Sequence, residues 1–285
     1  MCKLCKLCEL KNGAWSSRRG FMLAAAAAAG AVAVAPALAQ VDVGNPSKFR
    51  SLVSADQIEA AALQQYPQMM DQARAQKALA PDNNPQLMWL RSIARRIIPH
   101  AAQWNSRATR WNWEVNLVGS KQINAFCMPG GKIAFYTGIL DQLKLTEDEA
   151  AMVMGHEMAH ALREHARERI GKTQATGMGL SVLSQVLGLG DLGNVAAKVG
   201  TQLLSLKFSR EDESEADLVG LELAARSGYR PQAGATLWRK MAAASGGANG
   251  KSFLSTHPSG PDRIQQLEAN APKVQGLYEQ ARKAG

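Results

Sequence analysis

Five residues near the middle of the chain, His156-Glu157-Met158-Ala159-His160, have the types and spacing to activate water on a metal ion. Side chains four apart on a helix lie one turn above each other on one face, so the two imidazoles stand side by side. Neutral imidazole suits Zn2+, with Zn–N distances near ~2.0–2.1 Å. Glu157 sits about 100° round the helix from His156. Its carboxylate can lean over the open side of the ion and take a proton from a water held there. Average residue usage gives this pattern by chance in roughly one chain in a hundred of this length, so it needs support from elsewhere in the sequence.

Catalytic zinc takes three protein ligands and keeps one position open. The third can come from the acidic stretch Ser209 to Asp217, where Glu213 and Asp217 are four apart and share a helix face. One can bind the ion while the other orients a ligand histidine from behind. Spacing alone leaves Glu211 and Glu215 as competitors for Glu213. A third histidine after the first motif is not expected. The metzincin arrangement needs Gly at 163 and His at 166, and the chain has Arg163 and Ala166. His165 is nine residues past His156, about 180° round an unbroken helix, and should not reach the metal.

The elements that must hold these groups carry clear end signals. Thr146 with Glu149 makes a capping box, and Glu147, Asp148 and Glu149 occupy the positive end of the macrodipole. Arg163, Arg167 and Arg169 crowd the negative end, and Gly171 is the expected stop. Ser209 caps the second helix, Gly228 stops it, and Leu218, Leu221 and Ala225 form its apolar stripe. Upstream, Ala55 to Ala80 reads as helix disturbed at Pro67, after an extended lead-in over residues 40–54. Leu87, Leu90, Ile93, Ala94, Ile97 and Ile98 recur at helical spacing and end at Pro99. Trp113–Val118 alternates with period two, and Ile123–Cys127 and Lys132–Tyr136 are further strands, the last two joined by Pro129-Gly130-Gly131. This small sheet directly precedes the metal helix, and an edge strand there can hold an extended peptide by backbone pairing. Downstream, Pro231 opens a helix to about Ala244, Ser245-Gly246-Gly247 begins a flexible loop, and two closing helices start at Pro261 and Pro272.

The chain has 285 residues, 46% hydrophobic, enough for one sizeable core. Ser17-Arg18-Arg19-Gly20-Phe21-Met22 resembles the twin-arginine export signature, followed by a weakly hydrophobic Ala-rich run. Ala37-Leu38-Ala39 before Gln40 fits a small-x-small cleavage site. Residues 1–39 are therefore expected to be a signal peptide, and 40–285 one mature domain in the periplasm. Cys2, Cys5 and Cys8 leave with the signal, and Cys127 alone can form no internal disulfide. The net charge of +9 falls to +5 without residues 1–39, too mild an excess for a nucleic-acid footprint. Residues 171–206 carry seven glycines among Leu, Val and Ala. They read as a pair of helices covering the site, or as a surface that docks on a membrane or partner. Their longest apolar piece is too short to cross a bilayer.

Four blocks occur in order: Ile123-Asn124-Ala125-Phe126 with Pro129-Gly130-Gly131, His156 to His160, Glu213 to Asp217, and Thr256-His257-Pro258 with Arg263-Ile264. In these the chain resembles the zinc metallopeptidases of the HtpX, CAAX prenyl protease and Oma-type family, which are gluzincins. The resemblance implies Glu213 as third ligand of one zinc, Asp217 behind a histidine, and Asn124-Ala125 lining the substrate cleft. It also implies proteolytic quality control of envelope proteins, with protein or peptide substrates and contact with the membrane periphery or envelope assembly machinery. Without obvious transmembrane helices, the chain is closer to the soluble exported members. The expected fold is α+β, mostly helical: a zincin-like domain with a small sheet before the active-site helix. His257, in a loop Ser255–Pro258 that Arg263 can anchor by pairing with an acidic neighbour such as Asp217, is expected to gate zinc's fourth position and, swung aside, to bind the oxyanion. The rival is a zinc-stabilised chaperone that binds without cutting, although such a binder has no need of Glu157.

Overall fold

The computed structural model describes residues 41–175, 207–244, 251–258 and 261–284. The expected signal peptide with its three cysteines, residues 176–206 of the stretch 171–206 read as a helix pair, and the loop after Ala244 lie outside these residues.

The sheet is built on two helices whose starts are capped by their own side chains. In α1 (Ala55–Ala75), the Ser54 hydroxyl accepts from Gln57 N, and Ile58, Ala62, Tyr66, Met70 and Ala73 form the buried stripe. In α2 (Pro85–Ile97), Asn84 is the cap, Pro85 fills the first turn, and Leu87, Leu90, Ile93, Ala94 and Ile97 are buried. Two 3-10 turns, Ile98–Gln103 and Ser106–Arg110, lead into β1 (Glu114–Val118). β2 (Ala125–Met128) and β3 (Lys132–Tyr136) pair antiparallel, with Phe126 opposite Ala134. β1 pairs with β3 in parallel, Glu114 opposite Lys132. The order β1-β3-β2 leaves β2 at an edge. Leu117, Ile133 and Phe135 join the main core with α2, while Met128 and Ala134 join a smaller core under α1. The Tyr66 hydroxyl crosses to β3, donating to Ile133 O at 2.5 Å.

After the short α3 (Thr137–Leu143), α4 (Glu147–Leu162) carries the expected capping box from Thr146 and Glu149. α5 (His165–Ala175) follows at once. α6 (Arg210–Arg226) also opens on a capping box, from Ser209 and Asp212. α4 and α6 cross at two glycines. A Cβ on Gly155 would sit 2.7 Å from Gly220 O, and one on Gly220 would sit 2.6 Å from His156 N. Only hydrogen at both positions lets the backbones approach this closely, which sets the histidines of α4 against the acids of α6. α7 (Ala233–Ala244), α8 (Lys251–Thr256) and α9 (Pro261–Ala284) complete the described elements. None of the described helices is long and apolar enough to cross a membrane.

Several expectations are corrected. α4 stops at Leu162, not Gly171, because Glu164 adopts φ +60° and turns the chain. One closing helix replaces two, and α1 runs straight past Pro67. In both helices the carbonyl deprived of its N–H belongs to a residue with an exposed side chain, Leu63 or Glu268, so water can satisfy it. The lead-in contains a 3-10 turn, Lys48–Leu52, capped by Ser47. Trp113, Ile123 and Asn124 lie just outside the strands, α7 begins two residues after Pro231, and Ser255 and Thr256 belong to α8.

Candidate active site

Burial along α4 is nearly complete, and His156, Glu157 and His160 are all inside the protein. The two Nε2 atoms lie 3.1 Å apart. From α6, Glu213 places Oε1 3.4 Å from His160 Nε2 and Oε2 3.6 Å from His156 Nε2. His257 adds Nδ1, 3.0 Å from Glu213 Oε1 and 3.4 Å from His156 Nε2. One ligand atom from each of these four residues lies within 4.8 Å of the others. Glu213 is fully buried, whereas Glu215 turns to pair with Arg163 and Glu211 is exposed.

This donor set fits a small, borderline-soft cation. Bare Nε2 atoms on both rings would present their lone pairs to one point, and a cation there would turn that repulsion into attraction. Beside them Glu157 Oε1 is buried without a hydrogen-bond partner. Burial keeps His160 neutral, pushing it down to about 3. Burial works against ionising Glu213, but His257 and His160 hold its carboxyl well below the usual range. Glu157 moves the other way: burial raises its carboxyl, with His257 and His156 opposing. That raises its appetite for a proton, as a general base requires.

Further buried groups hold these donor side chains in place. Asp217 Oδ1 accepts from His156 Nδ1 and from Trp238 Nε1, each at 3.0 Å, and from Arg263 Nη2 at 2.8 Å. Arg263 Nε donates to Asp217 Oδ2 at 2.7 Å, and its Nη1 lies 2.7 Å from Glu213 Oε2. The same guanidinium lies 3.5 Å over the Trp238 ring and donates to Pro258 O at 3.1 Å. His257 is therefore seated just past α8, its ring stacked on Phe253 at 4.3 Å. Phe208 stacks on His160 at 4.0 Å.

A cleft opens onto these groups, lined by Asn124, Ala125, Cys127, Tyr136, Glu157 and His257 among others. Asn124 Oδ1 accepts from Ala125 N at 3.0 Å, and Asn124 O accepts from Tyr136 N, so this corner of the sheet is fixed from its own side chain and from β3. His156, His160, Glu213 and His257 are thus brought together, with Asp217 behind His156 and with Glu157, Asn124 and Ala125 on the adjoining cleft, while Glu211 and Glu215 stay outside the cluster. Three were missed. Trp238 and Phe208 carry no local signature of this role. His165, expected not to reach the metal, is outside the donor cluster, but the turn at Glu164 folds it back so that its Nδ1 lies 2.9 Å from His160 Nδ1.

Donors from two helices, with a buried, unpartnered carboxylate oxygen beside them, point to a class: zinc-dependent metallopeptidases. Residues 85–271 match Peptidase family M48, and the chain belongs to that family. It is 33% identical over 241 residues to the Schizosaccharomyces pombe protein "Mitochondrial metalloendopeptidase OMA1", a match covering 84% of this chain and 68% of the other. The Arabidopsis thaliana protein of that name is 39% identical over 156 residues, 55% of this chain but 31% of its own length. An Escherichia coli protein, "Beta-barrel assembly-enhancing protease", is 27% identical over 211 residues, 70% of this chain and 42% of its own length.

Proposed function

We propose that this zinc metalloprotease is an endopeptidase for unfolded or misassembled cell-envelope proteins, exported to the periplasm by the twin-arginine route. The observation that carries the reading is Glu157, buried and unpartnered at Oε1, on the floor of a cleft walled by an edge strand. An extended segment of an unfolded chain fits such a wall, because it can pair its backbone with β2 while the cleft takes its side chains. The name of the Escherichia coli relative associates that protein with β-barrel assembly, which supports an envelope substrate.

In this reading His156, His160 and Glu213 hold one zinc. When bound, zinc supplies a Lewis acid that polarises the scissile carbonyl and acidifies water. Glu157 takes the proton of the attacking water and passes it to the leaving amine. Asp217 fixes the His156 ring, and Asn124 and Ala125 receive the substrate backbone. His257 acts as a gate. Where it stands, its Nδ1 belongs to the same donor cluster and would fill the fourth ligand position, a resting state closed to substrate. Displaced from there, the imidazole can donate to the developing oxyanion.

Digestion of unfolded casein by wild type and His257→Ala, each with and without chelator, tests both levels. The expected result is chelator-sensitive fragments from both proteins, formed faster by the variant. A fall of roughly 10²-fold in kcat would make His257 an oxyanion donor alone. Equal rates with equal zinc affinity would remove both roles. Intact casein kept from aggregating by both proteins would favour the chaperone reading.

A further inference from the structure

The two ligand histidines are held from behind in different ways. His156 Nδ1 meets a carboxylate, Asp217, which can only accept. His160 Nδ1 meets another imidazole nitrogen, His165 Nδ1, at 2.9 Å. One hydrogen must lie between these two atoms, and either ring could carry it. The other end of His160 decides the matter. Its Nε2 is the atom that faces His156 and Glu213. A ligating nitrogen carries no hydrogen, so His160 in the loaded site is protonated at Nδ1 and His165 Nδ1 must accept. The hydrogen of a neutral His165 then sits on Nε2, which lies 3.5 Å from Glu215 Oε2. Glu215 is in turn paired with the Arg163 guanidinium.

We propose that His165 is a positioning residue for His160: by accepting from His160 Nδ1–H it holds the ring and the tautomer that free Nε2 for the metal. The proposal rests on the metal-site reading above. The backbone is arranged for it. Glu164 takes a left-handed conformation that residues with a side chain seldom adopt, and it sits between the ligand helix and His165. Arg50 Nη1, 3.0 Å from Glu164 Oε2, and Arg167 hold that turn from two sides. An unbroken helix would send His165 to the far side of α4. Instead the ring is buried, with Phe208 packed near both imidazoles.

The experiment compares zinc dissociation constants, by competition with a chelating dye, for the full chain and its His165→Gln, His165→Leu and His160→Ala variants. The Gln amide can accept from His160 and donate toward Glu215, while Leu fills similar volume and does neither. The proposal expects His165→Leu to weaken zinc binding roughly 10–100-fold and His165→Gln to stay close to wild type. Equal affinities in wild type, Gln and Leu would overturn it, and so would equal losses in Gln and Leu, which packing alone explains. Loss of zinc in His160→Ala alongside either result confines the failure to His165. Retention in His160→Ala would instead overturn the metal-site reading itself. Imidazole 15N resonances of the zinc-loaded wild type need no variant to fold. They should show His165 with its hydrogen on Nε2, and a hydrogen on Nδ1 would overturn the proposal.

Discussion

Glu157→Gln should keep its zinc and lose cleavage by about 10²–10⁴-fold in kcat/KM. The substitution keeps the shape of the side chain and removes its basicity. Glu157 stands outside the four-residue donor cluster, so the metal should not notice the change. His257 Nε2 lies 3.7 Å from its Oε1, beyond a formed hydrogen bond. Kinetics on a fluorogenic peptide, with zinc per chain measured on the same sample, check this. Activity near wild type would mean that the proton goes elsewhere.

Arg263→Met should destabilise the fold by about 3–5 kcal/mol, the cost of stripping a buried carboxylate of its partner. Arg263 touches Asp217 through two nitrogens and Glu213 through a third, and all three residues are buried. Burial works against ionising Asp217, and Arg263 is the largest influence holding its carboxyl below the usual range. Methionine also gives up the contact over Trp238. Urea unfolding of the metal-free protein is the measurement, because zinc would add its own linkage. A loss under about 1 kcal/mol would show that water reaches the Asp217 carboxylate and screens it.

What the sequence made legible here is local. Both helices that carry the donor residues start at the caps read from the sequence, Thr146 and Ser209, since a cap is made within four residues. The His156/His160 spacing survives folding for the same reason. The choice among Glu211, Glu213 and Glu215 was not legible from spacing, because it depends on Arg163 claiming Glu215 across 52 residues of sequence. The end of α4 was hidden too: the break at Glu164 uses neither Gly nor Pro, and Arg50, 114 residues away, helps to hold it. That one turn put His165 on the wrong face in the sequence reading. Pro67 and Pro272 misled in the opposite sense, as helices tolerate proline where the freed carbonyl faces water. The parallel pairing of β1 with β3 is a tertiary outcome that strand periodicity does not encode.

The central claim is that His156, His160 and Glu213 hold a single zinc on which peptide cleavage depends. The most direct test titrates zinc into metal-free protein while following cleavage of an unfolded substrate. Activity should rise from near zero and saturate at about one equivalent, as a three-ligand catalytic site requires, and Glu213→Ala should show no rise at that level. Undiminished cleavage by the metal-free protein, or full activation of Glu213→Ala at one equivalent, would contradict the account.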